Sequence, residues 1–392
     1  MTECGREPIT PRRIEQSMTI PTGLTGLLGL FLVLLIIWEG FETIILPRSV
    51  IRQLRLTRGF YLALWPFSAA IAKRLPTDRR QLFLSYFGPL SLPLLLVLWA
   101  LALVVGFALI QFSLPYGLNR VLGMSRFGTA LYESGVTFFT LGYGDVTPHT
   151  NISRFFAVIE AGVGFAFLAV VIGYLPVLYQ SFSRRESIIS LLDARASSPP
   201  SATEMLRRHG EGHRMASLTG LLADWEAWAS EVLESHLSYP VLSYYRSQHD
   251  HQSWLGALTA IMDTCSLLIV GFAGDPEWQD ELRWQARMTL AMCRHTVIDL
   301  AYVFNRAPDT SAPDRLPLDD LATLRQTLAR AGLPLCDGPE ADAKLANLRA
   351  LYEPYVTSLG SFLIFSLPPW LPSPDTPDNW QTSAWDRDTR HF

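Results

Sequence analysis

Thr140-Leu141-Gly142-Tyr143-Gly144-Asp145 is the stretch of sequence from which the fold of this chain can be worked out. Its two glycines flank one residue that carries a side chain, so alternate positions can adopt backbone conformations that other residues reach only at a cost. Such alternation lets successive backbone carbonyl groups point to one side. A Gly-Tyr-Gly sequence alone is typical of a turn. The surrounding sequence therefore has to decide between a turn and a row of carbonyl oxygens.

Three long apolar segments surround this stretch. Residues 16–38, 81–119 and 161–183 contain no charged residue, and each reaches the roughly 20 residues that a helix needs to cross a bilayer. Soluble core helices are rarely so long and apolar. The first segment is not expected to be a cleaved signal peptide, because its N-terminal flank has balanced charges and no small-residue cleavage site follows it. The sequence therefore predicts three membrane-spanning helices.

A shorter apolar segment, residues 126–139, lies between the second and third predicted spans. Its length suits a short helix that enters the membrane and ends where the stretch 140–145 begins. Non-helical backbone at membrane depth is tolerated only where it is buried in protein or lines a water-filled cavity. The sequence therefore predicts a re-entrant helix and loop that protein must surround on every side.

In this membrane context, residues 140–145 resemble the selectivity filter of the potassium channel superfamily. A narrow pore must replace the water that K⁺ sheds, and inward-facing backbone carbonyl oxygens can do so. The resemblance covers residues 83–186, taken as the pore domain, and implies that Asp145 lies at the outer mouth. Leu141 stands where valine is common in this family, and its side chain should point away from the ions. The residues expected to bind K⁺ are Thr140, Leu141, Gly142 and Tyr143.

The sequence contains one such filter motif. One pore loop cannot enclose a pore, and related channels use four loops, so the resemblance implies a homotetramer. The expected fold class is an all-α membrane protein with three transmembrane helices, a re-entrant pore helix and selectivity filter, and a C-terminal helical cytoplasmic domain. K⁺ is expected only as the permeant ion, and no cofactor is expected.

The predicted third helix, residues 152–182, contains four residues of interest. By distance from the filter, Gly164 matches the position where related channels place a hinge glycine, and Gly162 lies beside it. Close helix packing explains small residues equally well. Pro176 removes a backbone hydrogen bond and should bend the helix near its cytoplasmic end. Glu160 lies about two turns into the span, where a carboxyl group needs a partner; a structural hydrogen bond behind the filter is favoured over a role in gating.

Residues 47–82 form a basic segment between the first two spans. By the positive-inside rule this segment is cytoplasmic. The protein is therefore expected in the plasma or inner membrane as a multi-pass protein, with its N-terminus outside and its C-terminal domain in the cytoplasm. The spacing of the arginines also resembles a voltage sensor, but only one span precedes them, so an interfacial helix on anionic lipid is favoured. The arginines concerned are Arg48, Arg52, Arg55 and Arg58.

The remaining sequence divides into segments of different character. Residues 1–22 precede the first span, which is placed at residues 23–46. After the pore domain, a polar linker is expected at residues 187–215, a helical domain at 216–365 and a proline-rich tail at 366–392. Residues 254–272 are apolar nearly all round, and a buried central helix is favoured over a fourth span because the run is short.

The C-terminal half carries no recognisable catalytic or nucleotide-binding motif. It lacks a glycine-rich phosphate loop, and its cysteines have no metal-binding spacing. From residue 184 onward, acidic residues outnumber basic ones by 27 to 18, so nucleic acid is an unexpected partner. The densest polar patch could bind a metal or an anionic ligand, although a capped loop between helices explains it more simply. This patch comprises Arg246, His249, Asp250 and His251.

These features predict a potassium-selective channel that conducts passively and catalyses no reaction. The C-terminal domain is expected to regulate gating or assembly. Two alternatives remain open. The pore could be non-conducting or regulatory, with the cytoplasmic domain acting as a signalling module, or that domain could be an enzyme tethered to a channel-like anchor. The second alternative needs a nucleophile and a base in one site, and the sequence offers no such set.

Overall fold

The computed structural model describes residues 22–45, 56–119, 123–248, 251–274 and 277–372. The named elements among these residues are all helical, as predicted. The first five helices are α1 (Thr22–Gly40, continued by a π-helical turn, Phe41–Ile45), α2 (Leu56–Ala72), α3 (Thr77–Ser113), α4 (Arg126–Phe138) and α5 (Asn151–Ala196). They are followed by α6 (Ala202–Glu211), α7 (Ser217–Ser238), a 3₁₀ turn (Pro240–Tyr244), α8 (Trp254–Val270), α9 (Gln279–Val303), α10 (Leu318–Arg330), α11 (Pro339–Ala350) and α12 (Glu353–Leu363).

Three helical segments in the described part of the chain are long and apolar enough to cross a membrane. They are Gly23–Ile44, Arg79–Ser113 and Asn151–Ala196. Their order matches the three predicted spans, and α4 lies between the second and third. The prediction of an all-α protein with three candidate membrane helices and further helices towards the C-terminus is confirmed.

The chain divides into two compact units. The first comprises residues up to Phe41 together with Leu95–Ile172, and the second comprises Glu42–Leu94 together with Gly173–Phe392. The first unit thus contains α1, most of α3, α4, the stretch 140–145 and the first part of α5. The second contains α2 and all helices after α5.

Glycines hold α1 against α3 in the first unit. A methyl group added to Gly29 would lie 2.5 Å from the carbonyl oxygen of Gly106, and one added to Gly106 would lie 2.7 Å from Cγ2 of Val33. A side chain at either glycine would therefore force the helices apart. Small residues at such a contact are typical of helix packing in membranes.

Polar contacts fix α4 and the start of α5 in the same unit. Ser125 caps α4, and its hydroxyl accepts a hydrogen bond from the backbone N–H of Gly128 (3.0 Å). Such a cap satisfies one of the free amide groups at a helix start. On α5, the Ser153 hydroxyl donates to Oε1 of Gln111 in α3 (2.6 Å), and Nε2 of Gln111 donates to the Ser153 carbonyl (3.1 Å).

The helix α8 is the centre of the second unit. All 17 of its residues are buried, which agrees with a central core helix and not with a fourth span. Its one carboxylate, Asp263, accepts hydrogen bonds from the Tyr352 hydroxyl (2.6 Å) and from Nη2 of Arg315 (2.7 Å). A carboxylate can lie inside an apolar core when it is paired and hydrogen-bonded in this way.

The structure differs from the expectation of a polar linker at residues 187–215. There α5 continues to Ala196 and is followed by α6. Ile189, Leu192 and Ala196 recur at helical spacing and are buried in the core of the second unit. These apolar positions extend the helix, and the sequence Ser197-Ser198-Pro199-Pro200 forms the short turn before α6.

The start of the expected tail, residues 366–372, contains no helix. It is packed against the second unit. Trp370 is buried, and its carbonyl accepts a hydrogen bond from the Thr203 hydroxyl (2.6 Å). Arg315 donates to the carbonyl of Pro368 (2.8 Å). The remainder of the expected tail lies outside the described residues.

Candidate functional site

The stretch 140–145 begins directly after α4. At this end, the N–H of Leu141 donates to the carbonyl of Val136 (2.8 Å), and the N–H of Thr140 donates to that of Thr137 (3.1 Å). These bonds satisfy carbonyl groups at the helix terminus. The chain therefore leaves α4 in a defined direction.

The sign of the φ angle alternates along the stretch. The φ angle is +57° at Thr140, +61° at Gly142 and +76° at Gly144, whereas Leu141 and Tyr143 are not among the residues with positive φ. Glycine adopts positive φ at little cost, but threonine is branched at Cβ and is an outlier there. Strained backbone of this kind clusters at functional sites.

Alternation in the sign of φ rotates successive peptide groups so that their carbonyl oxygens can face one side and form a concavity. Such a concavity of carbonyl oxygens can replace the hydration shell of a cation. The glycines that the sequence analysis singled out thus have the positive φ expected at alternate residues of such a stretch.

The outer end of the stretch is tied back to α4. The Tyr132 hydroxyl donates a hydrogen bond to Oδ2 of Asp145 (2.9 Å). Bonds to a charged acceptor are stronger than those between neutral groups. Tyr132 was not identified as a site residue from the sequence, because nothing in a linear pattern joins positions thirteen residues apart.

Glu160 lies fully buried behind α4. Its Oε1 contacts the Ser134 hydroxyl, and the same hydroxyl lies 2.7 Å from the carbonyl oxygen of Val104. Ser134 thus joins α4 to α3 on one side and to α5 on the other. This placement agrees with the structural hydrogen bond expected behind the filter.

The number of hydrogen atoms available in this contact indicates whether the Glu160 carboxyl group is protonated. The Ser134 hydroxyl has one hydrogen but touches two oxygen atoms. Both contacts can be hydrogen bonds only if Glu160 supplies the second hydrogen. A protonated carboxyl group also avoids an unpaired charge in an apolar site. The geometry therefore fits a relay from Glu160 through Ser134 to the Val104 carbonyl.

A second buried carboxyl group, Glu133, lies on α4 beside Ser134. Its Oε1 accepts a hydrogen bond from the Thr137 hydroxyl (3.1 Å), and its Oε2 has no hydrogen-bond partner among the described residues. It lines a cavity of about 200 Å³ whose wall also includes Gly142, Gly144 and Asp145. The sequence analysis did not select Glu133, although an acidic residue inside a short apolar helix was a usable signal.

The two glycines in α5 have different surroundings. A methyl group added to Gly164 would collide with the backbone carbonyl oxygen of Phe138, at the end of α4, whereas nothing in the described part of the chain lies within 4 Å of one added to Gly162. Close packing therefore accounts for Gly164 without a hinge. Pro176 lies within the continuous helix α5, in the second unit.

Large apolar surfaces of the first unit are uncovered in one chain. The Leu141 side chain is 54% exposed and that of Tyr143 is 68% exposed. In the most apolar window of α5 only 11% of the residues are buried, compared with 56% in α3. These residues need an environment that a single chain does not provide.

Arg185 fixes the end of α5 within the second unit. Its buried guanidinium donates to the carbonyls of Leu242 (2.9 Å) and Tyr245 (3.1 Å) and to Oε1 of Glu186 (2.9 Å). Nε2 of His236 lies 3.2 Å from Nη1 of the same arginine. Leu242, Tyr245 and His236 are distant from Arg185 in sequence, so the sequence analysis did not select this arginine as a site residue.

The predicted polar patch is described only in part. Arg246 donates from Nη1 to the Ile364 carbonyl (2.9 Å) and also contacts the carbonyl of Leu363, at the end of α12. Burial lowers the pKa of Arg246 to about 9. His251 is exposed, while His249 and Asp250 lie outside the described residues. Arg246 therefore caps the end of a helix, and among the described residues no ligand set surrounds it.

The predicted basic segment is also described only in part. Arg58 lies in the first turn of α2 and is half-buried, whereas Arg48, Arg52 and Arg55 lie outside the described residues. Within the described ranges, no group of three or more histidine, cysteine or acidic residues could hold a metal ion.

Comparison with known proteins places these features in a family context. Residues 94–180 match the ion channel family. "Uncharacterized membrane protein YdjJ" of Bacillus subtilis (strain 168) is 25% identical over 250 residues, which cover 62% of this chain and 69% of that protein. The "Protein LctB" of Bacillus caldotenax is 36% identical over 87 residues, 20% of this chain and 64% of that protein. The "Protein LctB" of Geobacillus stearothermophilus is 29% identical over 124 residues, 29% of this chain and 82% of that protein. No solved structure matches the chain.

Proposed function

We propose that this membrane protein, which carries an ion-channel domain of the potassium channel superfamily at residues 94–180, conducts K⁺ selectively and passively. The observation that carries the proposal is the alternation of positive φ at Thr140, Gly142 and Gly144. A branched residue accepts such strain only when the surrounding structure imposes it. A ladder of carbonyl oxygens that binds dehydrated K⁺ would require this strained conformation.

K⁺ is the cargo of this site. The oxygens of Thr140, Leu141, Gly142 and Tyr143 would replace its water, and Asp145 would attract cations at the outer mouth. The Tyr132 hydroxyl would hold that carboxylate in place. The relay from Glu160 to Val104 would keep α4 fixed behind the filter, since rigid support preserves the spacing of the coordinating groups.

A homotetramer gives the uncovered surfaces their environment. Tyr143, at 68% exposure, and the apolar length of α5 both need covering. Irregular backbone at membrane depth is stable only when protein surrounds it or it lines an aqueous cavity. Four copies would enclose one filter, with the α5 helices lining the cavity and the outer helices facing lipid.

The topology proposed here has the N-terminus outside and the helical domain in the cytoplasm. The basic residues of the segment 47–82 favour this orientation under the positive-inside rule. In a bacterium, such as those of the matched relatives, this membrane would be the cell membrane. The match to an ion channel family points away from catalysis.

Regulation of gating by the C-terminal domain is the second part of the proposal. Arg185 lies in the same helix as Gly164 and is bonded to carbonyls of the 3₁₀ turn and of the residue that follows it. A displacement of the helical domain would therefore act on the end of α5. Pro176 offers a point at which the helix can bend in response.

The alternative of a non-conducting pore keeps the same fold but assigns signalling to the helical domain. Flux measurement on purified full-length protein in liposomes decides between the two. With a K⁺ gradient, the proposal predicts a K⁺ flux that a dye reports, and no such flux with an equal Na⁺ gradient. Gly144→Ala should abolish the K⁺ flux. Equal flux of both ions would contradict selectivity, and no flux from correctly assembled tetramers would favour the non-conducting alternative.

A further inference from the structure

The helix α2 is apolar on its whole circumference. Between Gly59 and Ala72 it contains no charged residue, and only at its two ends do charges appear. A helix of this kind is normally buried on all sides or lies in contact with lipid. With 17 residues and an internal Pro66, α2 is a poor candidate for a complete membrane span.

One face of α2 is fastened to the helical domain. Trp65 is buried, and its Nε1 donates a hydrogen bond to the carbonyl of Phe362 (3.0 Å). The ring of Tyr61 stacks on that of Tyr244 with centroids 5.5 Å apart, and the Trp65 ring lies 4.8 Å from that of Phe87. This face therefore has its partners within the second unit.

The opposite face of α2 has no cover among the described residues. Leu62 is 59% exposed and Phe67 is 66% exposed, and the exposed residues between and beside them are also apolar. They recur at helical spacing, which makes a continuous stripe. The exposed stripe comprises Leu62, Ala63, Pro66, Phe67 and Ala70.

The position of α2 in the chain identifies what covers this stripe. A connection of four residues separates α2 from α3, which begins at Thr77 and is long and apolar enough to enter the membrane. Arg80 joins the two helices, because its Nε donates to the carbonyl of Ala72 (3.2 Å). The C-terminal end of α2 is thus held where a membrane helix starts.

Positive charges mark the two ends of the stripe. Arg58 lies in the first turn of α2, and Lys73 and Arg74 follow its last residue. An apolar face with basic ends is suited to the boundary between acyl chains and anionic headgroups. A second copy of the chain would have to match both the apolar stripe and the positive ends.

We propose that α2 is a membrane-surface helix whose outer stripe lies among the acyl chains of the bilayer while its inner face carries the helical domain. The bilayer, with anionic lipid at the basic ends, is the occupant of the stripe. α2 then attaches the helical domain directly to the membrane. This attachment does not depend on which ion the pore selects.

Fluorescence quenching tests this assignment on the full-length protein. Phe67→Cys and, in a second preparation, Leu62→Cys are labelled with bimane after Cys4 and Cys336 are replaced by serine, while Cys265 and Cys293 are buried. The control label is placed at Leu318→Cys, which is 79% exposed at the start of α10. Vesicles contain phosphatidylglycerol and lipid with a nitroxide on the acyl chain.

The proposal predicts severalfold stronger quenching by the nitroxide lipid at positions 67 and 62 than at 318, and the reverse order with aqueous iodide. Quenching at 67 and 62 by iodide, without quenching by lipid, would overturn it in favour of a solvated face. Protection from both quenchers, with dipolar coupling between spin labels at position 67 on different copies, would overturn it in favour of a second copy. Phe67→Asp should reduce lipid quenching at position 62 severalfold, and unchanged quenching would count against the proposal.

Discussion

The hydroxyl of Tyr132 donates a 2.9 Å hydrogen bond to the Asp145 carboxylate, and so joins α4 to the far end of the stretch 140–145, the proposed filter. This bond crosses from a regular helix to irregular backbone. Irregular backbone has few bonds of its own, so its shape depends on contacts of this kind. The mouth of the pore is therefore expected to depend on Tyr132.

Tyr132→Phe should leave the preference for K⁺ unchanged but make currents decay faster during sustained conduction. The substitution removes one hydrogen bond and retains the ring. Macroscopic current decay in planar bilayers measures the effect, with Tyr116→Phe, at an exposed outer position, as the control. Identical decay in both variants and the wild type would remove the role assigned to this bond.

Glu160→Gln should preserve tetramers and conduction, whereas Glu160→Leu should destabilise the protein. Glutamine can donate to the Ser134 hydroxyl as a protonated carboxyl group does, but leucine cannot. Leaving a buried polar partner without its bond costs about 1–3 kcal/mol per chain. Thermal melting of the tetramer in detergent checks this. A severe loss in the glutamine variant would show that the ionised carboxylate is required.

Gly164→Ala should impair assembly and abolish current, because the new methyl group would meet the carbonyl oxygen of Phe138. The matched control, Gly162→Ala, meets no atom within 4 Å in the described chain and should be tolerated. Replacing glycine by alanine inside a helix gains about 0.5–1 kcal/mol where space permits. Tetramer yield and single-channel recording separate the outcomes. A Gly164→Ala protein that assembles normally but gates differently would favour a hinge over close packing.

Acid should destabilise the helical domain through His236. Burial, aided by the charge of Arg185, holds the pKa of His236 well below its ordinary value, so the folded protein keeps the ring neutral. Nδ1 lies 2.8 Å from the Val232 carbonyl, and Nε2 faces Nη1 of Arg185. Glu186 is bonded to Arg185 through its Oε1, which lies 2.9 Å from Nε of Arg185. A neutral ring with its hydrogen on Nδ1 satisfies both contacts.

The sign of the effect follows from proton uptake. Below about pH 6.5 the unfolded chain binds a proton at this histidine that the folded chain does not bind, so stability falls by up to about 1.4 kcal/mol per pH unit. Above about pH 6.5 this contribution of His236 to the pH dependence of stability vanishes. Melting temperatures of full-length protein between pH 7.5 and 5.5 should fall less for His236→Gln than for the wild type. Burial also lowers the pKa of His209, which contributes with the same sign to both proteins. Equal slopes would contradict the assignment.

Local features of the sequence were sufficient to predict the helices that could cross a membrane and the positions of the two glycines with positive φ. Glycines at 142 and 144 are required by backbone conformation, and the uncharged runs are required by the bilayer, so both signals lie in consecutive residues. The apolar α8 was likewise identified as a core helix from its length. In each case the physical cause acts within one segment of the chain.

The contacts that connect elements could not be predicted in this way. Arg185 bonds to residues 57 and 60 positions away, and Trp65 bonds to a carbonyl 297 positions away. The extension of α5 through the expected linker also depends on a core formed by later helices. Such packing depends on the whole fold, and a single sequence gives no pattern for it.

The bi-ionic reversal potential of the purified full-length protein in planar bilayers tests potassium selectivity most directly. With K⁺ on one side and Na⁺ on the other, a carbonyl ladder at residues 140–144 predicts a preference greater than tenfold, hence a reversal potential displaced by more than about 59 mV towards the K⁺ equilibrium value. A reversal potential near zero, measured on tetramers that conduct, would contradict the assignment of these residues as a potassium filter.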